Sequence, residues 1–121
     1  MITAVVGSRS ITMRVDAFIP VETEVIVTGG AKGVDTAAED YARRKGLPCV
    51  VIRPDYARYG RRAPLVRDRE IVDRADMVII LWDGTSNGTA YTLRYAEETG
   101  KEVRLYVLSE ECSPDVHKKF T

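Results

Sequence analysis

Glycines and small polar residues follow three short apolar runs of this sequence, an arrangement typical of phosphate binding. The three segments are Gly7-Ser8-Arg9, Gly29-Gly30-Ala31-Lys32-Gly33 and Gly84-Thr85-Ser86-Asn87-Gly88-Thr89. Glycine lets the backbone approach phosphate oxygens closely, and the free N–H groups at a helix N-terminus attract anions. Each segment alone is also what a tight turn requires, so the prediction of a phosphate site depends on the three segments meeting.

The second glycine segment matches no familiar nucleotide fingerprint. Gly29 to Gly33 is not a G-x-G-x-x-G sequence, and it is not a Walker A loop because no G-K-[ST] follows it. ATP hydrolysis on a P-loop is therefore not expected.

Four further residues could complete a nucleotide site. Asp35 could accept ribose hydroxyls or simply favour the N-terminus of its helix. Trp82 could stack a base or pack at the edge of the core. Tyr56 and Tyr59 lie among arginines, which suits base stacking, although exposed loop tyrosines are common. Arginine is the side chain suited to bidentate phosphate contacts, and six arginines cluster in one stretch: Arg53, Arg58, Arg61, Arg62, Arg67 and Arg69.

Composition excludes several classes of function. The chain has 18 basic and 18 acidic residues, so binding of nucleic acid over the whole surface is disfavoured. The single histidine, His117, belongs to no metal or Ser-His-Asp pattern, and we expect no metal and no cofactor. Cys49 and Cys112 form no CxxC pair, which suits a reducing cytoplasm. No run approaches the ~18 apolar residues of a membrane span.

Strands and helices alternate along the chain, which predicts a parallel α/β sheet. Predicted strands cover 2–6, 24–28, 49–52, 77–82 and 102–108, and predicted helices cover 12–18, 34–45, 64–74 and 89–99. Arg53 to Arg62 is predicted as a loop, and the tail from Ser109 as a helical turn. We expect one domain over residues 1–121, with 110–121 as its C-terminal tail. Its fold would be three-layered and Rossmann-like, with five strands in the order 3-2-1-4-5 and the ligand at the switch point.

Four motifs in order resemble the SLOG superfamily, most closely its small YspA-like members. They are Val5-Val6-Gly7-Ser8-Arg9, Thr28-Gly29-Gly30-Ala31-Lys32-Gly33-Val34-Asp35, Arg67-Asp68-Arg69-Glu70 and Trp82-Asp83-Gly84-Thr85-Ser86-Asn87-Gly88-Thr89. The resemblance extends to about Val107. It implies a Rossmann-like fold and a role like that of inferred sensors of nucleotide-derived ligands. The same superfamily includes the LOG phosphoribohydrolases and the DNA-processing protein DprA.

Comparison with the LOG enzymes argues against their catalytic chemistry. Those enzymes carry an arginine before a strand and then P-G-G-x-G-T-x-x-E. Arg67 falls at a position like that arginine, and Gly88-Thr89 resembles the G-T. Trp82-Asp83 replaces the Pro-Gly, and the loop is two residues longer. Thr92 occupies the position of the glutamate, and threonine cannot act as its general acid or base near neutral pH.

Other carboxylates remain open as substitutes for that glutamate. Glu39, Asp35 and Asp83 are the candidates, and their spacing favours none of them. In the YspA-like pattern an Asn commonly follows the arginine, whereas this chain has Asp68. That difference puts a negative charge near the expected phosphate.

The expected function is therefore that of a sensor or carrier domain that binds a nucleotide resembling AMP or ADP-ribose, without vigorous catalysis. The alternatives are a nucleotide N-glycosidase and a single-stranded nucleic-acid binder of the DprA type. A homodimer or larger homo-oligomer is expected, because LOG-like relatives are oligomeric and thin helical cover leaves apolar surface to bury. The predicted nucleotide-binding residues are Gly7, Ser8, Arg9, Gly29, Gly30, Ala31, Lys32, Gly33, Asp35, Arg67, Trp82, Asp83, Gly84, Ser86, Gly88 and Thr89.

Overall fold

A computed structural model of the chain describes residues 1–108 and the backbone of residues 118–120. The strands are β1 (Ile2–Gly7), β2 (Val25–Thr28), β3 (Cys49–Val51), β4 (Met77–Trp82), β5 (Glu102–Val107) and β6 (Lys118–Phe120). The helices are α1 (Val34–Lys45), α2 (Tyr56–Tyr59), α3 (Ala63–Arg74) and α4 (Asn87–Glu98), with 3-10 turns at Asp16–Phe18 and Gly60–Arg62.

The sheet has the strand order β3-β2-β1-β4-β5-β6. Its first five strands are parallel, which confirms the predicted order 3-2-1-4-5. In the centre, Ala4 of β1 lies opposite Val27 of β2 and Val78 of β4. The chain order reverses between β1 and β4, and their carboxyl ends form the switch point where ligands bind in such sheets.

Two apolar clusters cover the two faces of the sheet and make the fold three-layered. On one face, Val5 and Ile79 pack against α1 and the segment 11–19. On the other face, Val6 and Ile80 pack against α3 and α4. The residues of β4 alternate between these clusters, which explains why this strand is apolar throughout.

Three predicted elements differ from the structure. Only Asp16–Phe18 of the predicted helix 12–18 is helical, as a 3-10 turn. The predicted loop 53–62 instead contains α2, whose N-cap Asp55 accepts a hydrogen bond from the N–H of Arg58. Residues 118–120 of the tail form β6, antiparallel to β5, rather than a helical turn. The remainder of the predicted turn, including His117, lies outside the described residues.

Candidate functional site

The loops after β1, β2 and β4 meet at the switch point, with Ser8 at their centre. The Ser8 N–H donates to the carbonyl of Leu81 (3.0 Å), and its hydroxyl accepts from the Asp83 N–H (2.9 Å). The Ser8 carbonyl accepts from the N–H of Val34, the first residue of α1 (3.4 Å). A single buried serine thus joins the three glycine-containing segments that the sequence placed at this edge.

Glycine at position 33 is required by this junction. Its φ is +78°, and a Cβ there would lie 2.5 Å from the Ser8 carbonyl oxygen and 2.7 Å from the Cα of Arg9. The N-terminus of α1 can therefore approach the first loop this closely only because position 33 has no side chain.

The three loops enclose a cleft of about 150 Å³, which we call the switch-point cleft. Of the sixteen predicted binding residues, nine line it: Gly7, Ser8, Arg9, Ala31, Asp35, Arg67, Ser86, Gly88 and Thr89. Val6, Asp68 and Thr92 also line it, although they were not predicted as binding residues. The remaining predicted residues do not line the cleft: Gly29, Gly30, Lys32, Gly33, Trp82, Asp83 and Gly84.

The guanidinium of Arg67 lies in the wall of the cleft and is held by two contacts. Its Nη1 donates to the carbonyl of Gly29 (2.6 Å), and its Nε donates to the carboxylate of Asp68 (2.8 Å). The Arg67 side chain is 14% exposed. Arg67 thus forms an ion pair with Asp68, whereas Glu70 pairs with Arg74.

Asp35, in the first turn of α1, holds the loop after β2 in place through hydrogen bonds. Its Oδ2 accepts from the N–H groups of Gly29 (3.1 Å) and Ala31 (3.2 Å), and the residue is 5% exposed. Burial raises the pKa of Asp35 to about 6, even though these two hydrogen bonds and the charge of Arg67 favour the carboxylate. A buried carboxylate that is costly to ionise is a common feature of functional sites.

Asp83 forms hydrogen bonds within and next to the loop after β4 and does not line the cleft. Its carboxylate accepts from the N–H groups of Thr85 and Ser86 and from the hydroxyl of Ser10. Partial burial opposes ionisation, but these bonds hold the pKa of Asp83 well below its usual range. The backbone donors of Thr85 and Ser86 are thus already used inside the protein.

The N-terminus of α4 supplies the backbone donors that remain in this loop. The first intrahelical bond runs from the Ala90 N–H to the Ser86 carbonyl (3.2 Å). Among the described residues, the preceding N–H groups of Asn87, Gly88 and Thr89 have no acceptor, as expected for a first helical turn. Gly88 and Thr89 line the switch-point cleft, and free N–H groups at a helix N-terminus favour an anion.

A second carboxylate, that of Asp68, lies in the cleft beside Arg67. Burial raises the pKa of Asp68, while the adjacent Arg67 charge opposes the rise. The hydroxyl of Thr92, at the position of the LOG glutamate, donates to the Gly88 carbonyl (3.0 Å). Of the three carboxylates considered as substitutes for that glutamate, only Asp35 lines the cleft, whereas Glu39 and Asp83 do not.

The aromatic candidates differ in their surroundings. The Trp82 indole packs against the cluster beneath α3 and α4, and its Nε1 donates to the Ser86 carbonyl (3.0 Å). These contacts favour its role at the core edge. Tyr56 and Tyr59, on α2, remain exposed at 60% and 39%.

No group of His, Cys, Asp and Glu side chains within the described part of the chain is arranged to hold a metal ion. In the same residues, no helix is long and apolar enough to cross a membrane.

The parallel sheet and its switch-point cleft define a Rossmann-like α/β domain. A family model described as the YspA, cpYpsA-related SLOG family matches residues 9–59. This segment is therefore similar to the SLOG family that the motifs indicated, and the similarity suggests a nucleotide-related binding function. The matched segment includes the Gly29–Gly33 loop, whereas Arg67 and the Gly84–Thr89 loop lie beyond it. No curated protein and no solved structure matches the chain significantly.

Proposed function

We propose that the chain binds a phosphate-bearing nucleotide in the switch-point cleft and acts as a sensor or carrier domain. The observation that carries this proposal is the unused set of N–H groups at the start of α4, which faces the same cleft as the guanidinium of Arg67. Two kinds of donor suited to phosphate thus converge on one small volume.

The cleft also offers a position for a sugar. Asp35, which is hydrogen-bonded to the loop after β2, also lines the cleft, and a carboxylate is a good acceptor for ribose hydroxyls. Asp68 is balanced by its ion pair with Arg67, so it does not prevent an anion from binding at α4. The volume of about 150 Å³ is smaller than the roughly 300 Å³ at which ligand pockets usually begin. We therefore place phosphate and ribose in the cleft and the base outside it.

A thermal-shift panel tests this arrangement. AMP, ADP and ADP-ribose should stabilise the fold by roughly 2.7 kcal/mol when present at about 100 times Kd. Ribose 5-phosphate should stabilise it to a smaller extent, and adenosine, which has the base and sugar but no phosphate, is the matched control that should not. A panel without any phosphate-bearing responder, or a response to adenosine equal to that of AMP, would contradict the proposal.

A nucleotide N-glycosidase is the second candidate, and Asp35 is the observation that favours it. With a pKa of about 6, this carboxyl can hold a proton near neutral pH inside the cleft. In such a reaction the C1′–N bond breaks, a water oxygen bonds to C1′, and the base leaves with the electron pair and a proton. Chromatography of nucleotides after incubation separates the two candidates: free base formed by the wild type but not by Asp35→Asn supports the enzyme.

A further inference from the structure

A second pocket, of about 230 Å³, lies next to the switch-point cleft, and Arg67 lines both. We call it the arginine pocket. Its wall includes Arg53, which follows β3, together with Arg58 and Tyr59 of α2 and Glu70 of α3. Arg53, Arg58 and Tyr59 belong to the Arg- and Tyr-rich stretch noted in the sequence, although none of the three was among the sixteen predicted binding residues.

Successive glycines make room for two guanidinium groups at the boundary between the pockets. Arg67 donates to the carbonyl of Gly29 (2.6 Å), and Arg53 donates to the carbonyl of Gly30 (3.3 Å). A Cβ at Gly29 would lie 2.8 Å from Nη1 of Arg67, and one at Gly30 would lie 2.7 Å from Nη1 of Arg53. The second loop therefore holds two arginines, Arg67 and Arg53, against consecutive peptide groups.

The cations of the arginine pocket are not neutralised by its carboxylates. Among the described residues, neither Arg53 nor Arg58 forms an ion pair. Asp55 instead accepts from the backbone N–H of Arg58 as the cap of α2, and Glu70 pairs with Arg74 at 3.6 Å. Two guanidinium groups without ion-pair partners in a concave site favour the binding of an anionic group.

The pocket also offers a surface for an aromatic ring. Tyr59 is 39% exposed, and the guanidinium of Arg58 lies 5.2 Å from its ring centroid. Tyrosine and arginine planes are the surfaces on which bases stack in nucleic-acid sites. The pocket thus combines the two features by which a nucleoside phosphate is recognised.

We propose that the arginine pocket binds a second nucleotide unit, so that the preferred ligand is a linear dinucleotide. This inference rests on the proposed function, since the first unit occupies the switch-point cleft. The linking phosphate is the 5′-phosphate of the unit in the switch-point cleft, and Arg67, in the common wall, contacts it. Arg53 and Arg58 contact the terminal 5′-phosphate of the second unit, and Tyr59 stacks its base.

Titration calorimetry with AMP, the linear dinucleotide pApA and a ten-residue oligoadenylate tests the inference. The wild type should bind pApA at least about tenfold more tightly than AMP, equivalent to about 1.4 kcal/mol. Arg58→Ala should weaken pApA binding about tenfold and leave AMP binding within about twofold. Arg62→Ala is the matched control, because Arg62 is exposed in the same segment but does not line the pocket. It should change neither affinity.

Equal affinity for AMP and pApA, or an equal loss of both in Arg58→Ala, would overturn the inference while leaving the proposed function intact. The ten-residue oligoadenylate should bind no more tightly per site than pApA. A gain of about tenfold over pApA would show a single-stranded nucleic-acid binder instead of a two-unit site. Absence of binding by all three compounds would overturn the inference together with the proposed function.

Discussion

Replacing Asp35 by asparagine should change how the stability of the protein depends on pH. The Asp35 carboxyl is buried, and its pKa is about 6 in the folded protein against 3.8 for an unperturbed side chain. In the pH range between these values the folded state holds a proton that the unfolded chain has lost. The free energy of unfolding contributed by Asp35 is therefore greatest below about pH 4 and falls as pH rises through about 6.

The size of this effect follows from the shift. The pKa of Asp35 differs by roughly two units between the folded and unfolded chain, and each unit corresponds to about 1.36 kcal/mol. The free energy of unfolding should therefore fall by about 3 kcal/mol between about pH 4 and pH 7. The amide introduced by Asp35→Asn would keep an oxygen for the N–H groups of Gly29 and Ala31 but would carry no charge at any pH. Relative to the wild type, the variant should therefore become more stable by about this amount across that interval, whatever constant offset the substitution adds.

Urea denaturation at about half-unit steps from pH 4 to pH 7.5 measures this difference. Asp83→Asn is the control, because the pKa of Asp83 is held below its ordinary value of 3.8 by its hydrogen bonds. The contribution of Asp83 is complete above that value and is lost only as pH falls below it, so its difference curve should stay flat from about pH 5 upward. A flat difference curve for Asp35→Asn would refute the reasoning, since it would mean that the buried carboxyl does not titrate near pH 6.

Three further predictions concern the cleft and its surroundings. Arg67→Ala should weaken nucleotide binding roughly 10- to 150-fold, from a charge-assisted contact of about 1.5–3 kcal/mol, and Arg67→Lys should restore binding only partly because an ammonium lacks the planar fork. Arg74→Ala on the same helix is its control in titration calorimetry, and unchanged affinity with lowered stability in Arg67→Ala would make Arg67 purely structural. In urea denaturation, Gly33→Ala should lower the free energy of unfolding by about 1–3 kcal/mol more than Gly46→Ala does. Both glycines have positive φ, but only a Cβ at Gly33 meets backbone atoms. Equal losses in the two variants would show that the loop moves to accommodate the Cβ. Light scattering at micromolar concentration should report a homodimer or larger assembly, and a species of only 13.5 kDa would contradict that expectation.

The layout of the sheet could be predicted from sequence because it depends on local patterns. Alternating strands and helices, with β4 apolar throughout, determined the strand order and the edge where the glycine segments meet. The predicted helix 12–18 was wrong over most of its length, because Val15 and Phe18 pack on the sheet from a segment that is helical only at Asp16–Phe18. Helix α2 was missed although Asp55 is a standard N-cap residue, because four residues give almost no periodicity.

Contacts inside the site were harder to foresee because they join residues distant in sequence. The bond from Arg67 to the Gly29 carbonyl spans 38 positions, and only the folded sheet brings the two together. The sequence placed Asp83 among the ligand contacts, whereas the structure shows its carboxylate occupying backbone donors of its own loop. Asp68 was expected to put a negative charge near the phosphate. Its ion pair with Arg67 places it in the wall of the cleft with its charge balanced.

The most direct test of a phosphate at the start of α4 is the substitution Gly88→Ala. A Cβ at Gly88 meets no atom within 4 Å, and Ala is favoured over Gly in a helix by about 0.5–1 kcal/mol. The variant should therefore be at least as stable as the wild type, while its new methyl group projects from the first turn that would hold the phosphate. Glu97→Ala, in the exposed last turn of the same helix, is the control.

Titration calorimetry of Gly88→Ala with AMP tests whether the phosphate binds at the N-terminus of α4. A loss of tenfold or more in affinity, about 1.4 kcal/mol, with unchanged or raised stability is the result that we predict. Unchanged affinity in Gly88→Ala, matching that of Glu97→Ala, would contradict the central claim that the N-terminus of α4 binds the phosphate.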